Sequence, residues 1–176
     1  MKRLFTLIFA LMACIGSAKA AEVNAVAQVD LERYMGTWYE QASFPMYFQR
    51  KCVANTAATY RLREDRRVDV HNRCEQRDGS SLDARGVAKS VDGSTSKLKV
   101  RFAPEALSFL PFVWGDYWVI ALDKNYQWSV VGSPSRKYLW ILSRDKNLSP
   151  ETFSELVKIA KAQGFDTTRL VRTPQR

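Results

Sequence analysis

The chain has 176 residues, 46% hydrophobic and 12% aromatic, with five Trp, seven Tyr and nine Phe. That is one domain's length with enough apolar material for a core, which excludes a disordered tail or low-complexity linker. A formal charge of +9 directs attention to anionic partners, nucleic acid or a membrane surface, and a single histidine speaks against histidine-dependent catalysis and metal binding.

Lys2 and Arg3 form a positive start, followed by an apolar run from Leu4 to Ile15. At about twelve residues the run is short of the roughly twenty that span a bilayer. Ser17-Ala18-Lys19-Ala20 supplies small residues in an A-x-A pattern before Ala21, so residues 1–20 are predicted to be a secretory signal peptide and 21–176 a single domain. A second reading competes: Leu11-Met12-Ala13-Cys14 is similar to the lipobox of bacterial lipoproteins, where Cys14 would be acylated and become the new N-terminus. Both readings place the protein in the periplasm, the second anchored to the outer membrane. Removal of residues 1–20 takes away Lys2, Arg3 and Lys19 and no acid, lowering the charge from +9 to +6. Cys52 and Cys74 remain, and an even pair in an oxidising compartment reads as a disulfide.

Asp30 can cap a short helical turn over 31–35, which Gly36 breaks. Eight short β-type runs follow, at about 37–42, 53–62, 67–76, 82–90, 97–103, 117–124, 127–133 and 138–144. Turn signals separate them, among them Asp78-Gly79-Ser80, Asp92-Gly93-Ser94 and Gly132-Ser133-Pro134-Ser135. No helix long enough for a parallel crossover lies between any two, so the fold class is all-β, an antiparallel sandwich or barrel. One helix is signalled near 150–163. Ser149 is its N-cap, Pro150 suits its first position, Leu148 and Phe153 can staple it, and Gly164 stops it. Phe153, Leu156, Val157 and Ala160 share one apolar stripe, which should pack outside the strands.

Three segments together resemble the lipocalin family. Gly36-Thr37-Trp38-Tyr39-Glu40, after the helical turn, is similar to the G-x-W motif that opens the first barrel strand. Gly115-Asp116-Tyr117 sits where the family has T-D-Y, with Gly115 in place of Thr, and Leu142-Ser143-Arg144-Asp145 is similar to the third motif with its arginine. The resemblance covers about residues 30–171. Tyr138 to Arg144 brings it nearest the bacterial outer-membrane lipocalins and apolipoprotein D. It implies an eight-stranded antiparallel up-and-down β-barrel over about 36–145 with one C-terminal α-helix outside. In that fold Trp38 plugs the closed end and the Arg144 guanidinium stacks on the indole, a contact worth about 1–2 kcal/mol. Gly36, Trp38, Asp116, Tyr117 and Arg144 are then motif residues with a structural role.

Side chains alternate along a strand, so if Trp38 faces in, Glu40 and Ala42 do too. On the last strand Tyr138, Trp140 and Leu142 should face in, with Leu139 and Ile141 outward under the helix. The resemblance puts Tyr60 and Ala58 inside from the second strand and Val70 and Asn72 from the third. The sixth strand should contribute Tyr117, Val119 and Ala121. The candidate ligand contacts are thus Trp140, Tyr60, Tyr138, Asn72, Glu40, Ala42, Val70 and Val119, an apolar cup with a few polar groups that suits an amphiphile. Cys52 and Cys74 fall at the mouth ends of adjacent strands, where a bridge would pin the rim.

Two connections at the expected mouth, 44–51 and 107–114, are unusually apolar. They read as a lid, a membrane contact or a dimer face, with Arg50 and Lys51 alongside. The basic run Arg61, Arg63, Arg66 and Arg67, broken by Glu64 and Asp65, falls at the closed end; export makes nucleic acid an improbable partner and leaves an anionic leaflet or plain solvent. No nucleophile–base pair, C-x-x-C, phosphate loop or acidic metal cluster is readable, and the alternation places His71 outside. No cofactor or metal is expected, and no enzyme activity. The expected function is binding of a fatty acid or lysophospholipid for lipid storage or transport in the bacterial cell envelope, by a monomer or homodimer, with peripheral membrane contact left open. A carrier of haem or pigment, a lipocalin-fold enzyme on a lipid-like substrate and an interaction module with a self-filled cavity are the alternatives.

Overall fold

The computed structural model describes residues 22–176; the signal-peptide reading of residues 1–20 and the acylation reading of Cys14 lie outside the described residues. Eight strands follow one another in the sheet in chain order: β1 (Gly36–Ser43), β2 (Cys52–Leu62), β3 (Val68–Gln76), β4 (Ser81–Val91), β5 (Ser94–Arg101), β6 (Gly115–Leu122), β7 (Trp128–Gly132) and β8 (Leu139–Ser143). Every pairing is antiparallel, as short connections require. β1 pairs with both β8 and β2, which closes the ring into a barrel. The connections after β1, β3, β5 and β7 therefore share one end, the mouth.

The other end is closed by a corner built on one arginine. Asp30 caps α1 (Leu31–Tyr34) by accepting from the amides of Glu32 and Arg33. Trp38 is wholly buried beneath it and donates from Nε1 to the Tyr34 carbonyl at 2.8 Å. The Arg144 guanidinium lies 4.0 Å from the Trp38 ring centroid and donates to the carbonyls of Thr37 (2.8 Å), Arg33 (2.9 Å) and Met35 (2.7 Å). Gly36 is needed at this corner: its φ is +91°, and a Cβ there would come within 3.2 Å of Arg144 Nη1.

Strand alternation divides the apolar residues into two clusters. Trp38, Tyr34, Val119 and Leu142 pack inside at the floor, while Phe44, Leu139, Ile141 and Ile120 pack outside beneath the helix. That helix, α2 (Pro150–Ala162), is capped by Ser149 Oγ accepting from the Thr152 amide and buries Leu156 and Ala160. Two of the register shifts among the strands change which way a candidate residue faces. A register shift between Glu40 and Ala42 pairs Ala42 with Ile141, and one between Val119 and Ala121 turns Ala121 to the outer cluster. Strict alternation predicts both to face in; an extra residue in one strand reverses the parity of everything after it.

A two-residue strand, β9 (Val171–Arg172), carries no clear sequence signal. It pairs with Ala42 and Ser43 of β1, past the stretch where β1 pairs β2. The residues after it stay in that seam: the Thr173 amide donates to Gln41 O and the Asn55 amide to Pro174 O.

Cys52 and Cys74 form the disulfide across β2 and β3, with Cα atoms 5.5 Å apart. Replacing both by Ser should lower unfolding free energy by about 3 kcal/mol, the chain-entropy value for a loop of this length. Urea unfolding of the variant against the oxidised protein measures it, and an unchanged midpoint would contradict it.

Candidate functional site

The barrel encloses a cavity of about 550 Å³ that opens at the mouth. One side is aromatic almost from floor to rim. Ring centroids follow one another at 5.9 Å (Tyr34–Tyr60), 6.1 Å (Tyr60–Tyr117), 6.5 Å (Tyr117–Trp140), 6.0 Å (Trp140–Tyr138) and 6.1 Å (Tyr138–Phe48). All lie in the range of attractive ring contact. The remaining lining includes small and branched aliphatics, among them Val68, Val70, Ala84, Leu98 and Val100.

At the floor, three phenols share a hydrogen-bonded knot. Tyr34 and Tyr117 hydroxyls are 3.0 Å apart, Tyr60 and Tyr117 3.1 Å, and Tyr34 reaches Ser129 Oγ at 3.0 Å. Burial pushes all three phenols above the ordinary tyrosine pKa, because a phenolate there would lose its water.

Nearer the mouth sits a second polar cluster, around Glu40. Its Oε2 accepts from Gln49 Nε2 at 2.9 Å, and its Oε1 from Ser43 Oγ (3.0 Å) and Thr173 Oγ1 (2.6 Å). Gln175 Nε2 closes the group by donating to the carbonyls of Glu40 and Thr56. A carboxylate only accepts, so Gln49 must turn its amide toward it, and Gln49 Oε1 is left buried with no protein donor. Asn72 Oδ1 is buried in the same condition. Both residues line the cavity, so its wall holds acceptors in want of a donor.

Of the residues picked out by sequence, Trp140, Tyr60, Tyr138, Asn72, Glu40 and Val70 come together on the cavity wall. Two do not. Ala42 is turned away by the register shift, and Val119, 1% exposed, is packed into the floor cluster. Asp116 and Tyr117, taken as motif residues, also line the cavity. His71 pairs with Asp83 at 2.6 Å and is not on the cavity wall. Gln49, Thr56, Phe48 and Phe112 line the cavity without having been singled out. Only Phe48 and Phe112 had a local signal, as apolar residues in mouth connections. The role of Thr173 and Gln175 depends on where the C-terminal segment seats.

A closed antiparallel barrel, open at one end, apolar within and plugged by a tryptophan under an arginine, defines a container for small hydrophobic molecules. The chain belongs to the lipocalin family: the family model for a lipocalin-like domain matches residues 29–175. Lipocalins are generally binding and transport proteins, and the family supports binding of small hydrophobic ligands. Relatives include temperature-induced lipocalin-1 of Arabidopsis thaliana, 43% identical over 88% of this chain and 83% of that protein. The outer membrane lipoprotein Blc of Escherichia coli (strain K12) is 37% identical over 97% of this chain and 93% of its own. Mouse apolipoprotein D is 31% identical over 83% and 77%. Among solved structures, apocrustacyanin C2 superposes with a TM-score of 0.67 at 18% identity, covering 84% of this chain and 80% of that one, which speaks to the fold alone.

Proposed function

We propose that the protein carries a single-chain amphiphile, a lysophospholipid in preference to a free fatty acid, for lipid storage or transport in the bacterial cell envelope. The observation that carries this is the pairing of a long apolar cavity with the Glu40–Gln49 cluster. A tail fits among the aliphatic residues and the aromatic strip. Glu40 places a negative charge where the head would sit, and Gln49 and Asn72 offer acceptors without donors. A carboxylate head supplies neither a positive charge nor a hydrogen to donate. A lysophospholipid with an ammonium head and a glycerol hydroxyl supplies both, and Phe48, Tyr138 and Trp140 stand ready for cation–π contact. The match to proteins named outer membrane lipoprotein supports the envelope location and, with it, removal of residues 1–20 or acylation of Cys14.

Titration of the delipidated protein, followed by Trp fluorescence, tests the reading. Lysophosphatidylethanolamine should bind about tenfold more tightly than a fatty acid of equal chain length, and Glu40→Gln should narrow the gap. Ala84→Trp, which fills the cavity, should weaken both by about a hundredfold. A fatty acid that binds as well as the lysolipid refutes the preference. Binding unaffected by Ala84→Trp refutes the site.

A further inference from the structure

The two apolar mouth connections, which read from sequence as a lid, a membrane contact or a dimer face, leave aromatic side chains in solvent. Tyr47, Phe109 and Phe112 are 77, 76 and 79% exposed. Other residues of the same connections are held: Phe44 and Met46 are buried, and Trp114 is anchored by its Nε1 donating to Ser108 O at 2.8 Å. The connection after β5 is a built scaffold. Arg101, 3% exposed, donates to Ala103 O and to Glu105, while the Lys89 ammonium lies 4.2 Å from the Trp114 ring centroid. Short turns at Glu105–Leu107 and Pro111–Val113 flank Phe109 and carry Phe112, which stands in solvent at the edge of the cavity. After β1, a turn at Tyr47–Gln49 presents Tyr47 with the Arg50 guanidinium 4.1 Å from its ring centroid. Aromatic side chains held in water by a folded scaffold, around a cavity opening, call for an apolar surface to enter.

Charge names that surface. The four mouth connections, 44–51, 77–80, 102–114 and 133–138, hold five basic residues against Asp78 and Glu105. Asp78 is taken by Ser80, and Glu105 by Arg101. At the other end of β2 and β3, Arg61 and Arg63 share Asp69, and Arg67 holds Asp65 and lies 3.8 Å from Glu105, adding to the neutralisation of that acid. The described chain also enters at the mouth end. The Asn24 amide donates to Gln163 Oε1 at 3.0 Å, and the Gln163 carbonyl accepts from Arg136 in the connection after β7. A tether from Cys14 to Glu22 would span at most about 29 Å, with its protein end on the same side as the aromatics.

We infer that the mouth is a docking face for an anionic phospholipid bilayer, with Tyr47, Phe48, Phe109 and Phe112 entering the headgroup–acyl boundary and Arg50, Lys51 and Lys137 meeting the headgroups. The cavity then opens toward the membrane, so a single-chain lipid passes between bilayer and barrel without crossing open water. That passage rests on the ligand reading above; the docking itself does not.

Flotation of residues 21–176 with vesicles tests it. The protein should float with phosphatidylcholine vesicles containing phosphatidylglycerol, less with pure phosphatidylcholine, and less again as salt is raised. The double variant Tyr47→Ser/Phe109→Ser, neither residue lining the cavity, should partition about tenfold more weakly while lysolipid titration is unchanged. Lys51→Glu/Lys137→Glu should remove the phosphatidylglycerol dependence. The inference is overturned if the wild type does not float, if the Tyr47/Phe109 variant floats equally, or if these residues instead hold two copies of the chain together by sedimentation. Loss of lysolipid binding with flotation intact would sink the ligand reading and spare the docking face.

Discussion

Replacing Trp38 by Ala should lower unfolding free energy by about 3–5 kcal/mol, among the largest effects any single substitution has here. The side chain is wholly buried in the floor, so its removal loses apolar contact on both sides and leaves a void. It also leaves Arg144 without the ring on which its guanidinium rests. That guanidinium gathers three carbonyls of the α1–β1 corner, so the damage spreads from packing to the closure of the barrel. For a domain of this size the thermal midpoint should fall by roughly 10 °C. Thermal unfolding followed by near-ultraviolet circular dichroism measures it. A fall of only a degree or two would mean that the floor holds without its plug.

Alkaline pH should unfold the barrel, and steeply. Tyr34, Tyr60 and Tyr117 have pKa values raised by burial above their unfolded value of 10.0. A raised folded pKa gives stability that is complete below the unfolded value and is lost as pH climbs through the folded one. Above pH ~10 the unfolded chain releases three protons that the folded chain keeps. Stability should therefore drop by about 4 kcal/mol per pH unit, at about 1.4 for each phenol, until the fold gives way. The tyrosinate absorbance of these three should appear only together with the loss of tertiary circular dichroism. Tyr117→Phe should reduce the slope by about a third. Reversible ionisation of all seven tyrosines in the folded state would contradict the floor described above.

Several features were legible before any coordinates because they are local. Ser149 and Pro150 opened the helix as capping chemistry requires, and its apolar stripe told which side would pack. On β8 and the residue just before it, Tyr138, Trp140 and Leu142 reach the cavity while Leu139 and Ile141 go under α2, because no extra residue interrupts that strand. Ala42 shows the limit. It sits two residues from Glu40 and should share its face, but the register shift between them depends on how β1 meets β8 and β9 and leaves no mark in the residues themselves. Val119 met the other limit: facing inward does not mean facing the cavity, since the floor fills first. The Glu40 cluster was half visible. The carboxylate was an evident polar group in an apolar wall, but Gln49, Thr173 and Gln175 come to it from distant parts of the chain.

By itself the sequence determined the fold class, the plugged floor, the disulfide pair and most of the aromatic wall. The fold class rests on short strands with turn signals between them, the plugged floor on the resemblance of the motifs to the lipocalin family, the disulfide on an even cysteine pair, and the aromatic wall on that resemblance together with period-two alternation, which the backbone enforces over short distances. Tertiary structure alone decided how alternation is reset at the bulges, what satisfies Glu40, and whether the apolar connections cover the mouth or stand open around it. Those outcomes depend on contacts between segments far apart in the chain, where a shift of one residue or the seating of the C-terminal segment changes which side chains meet.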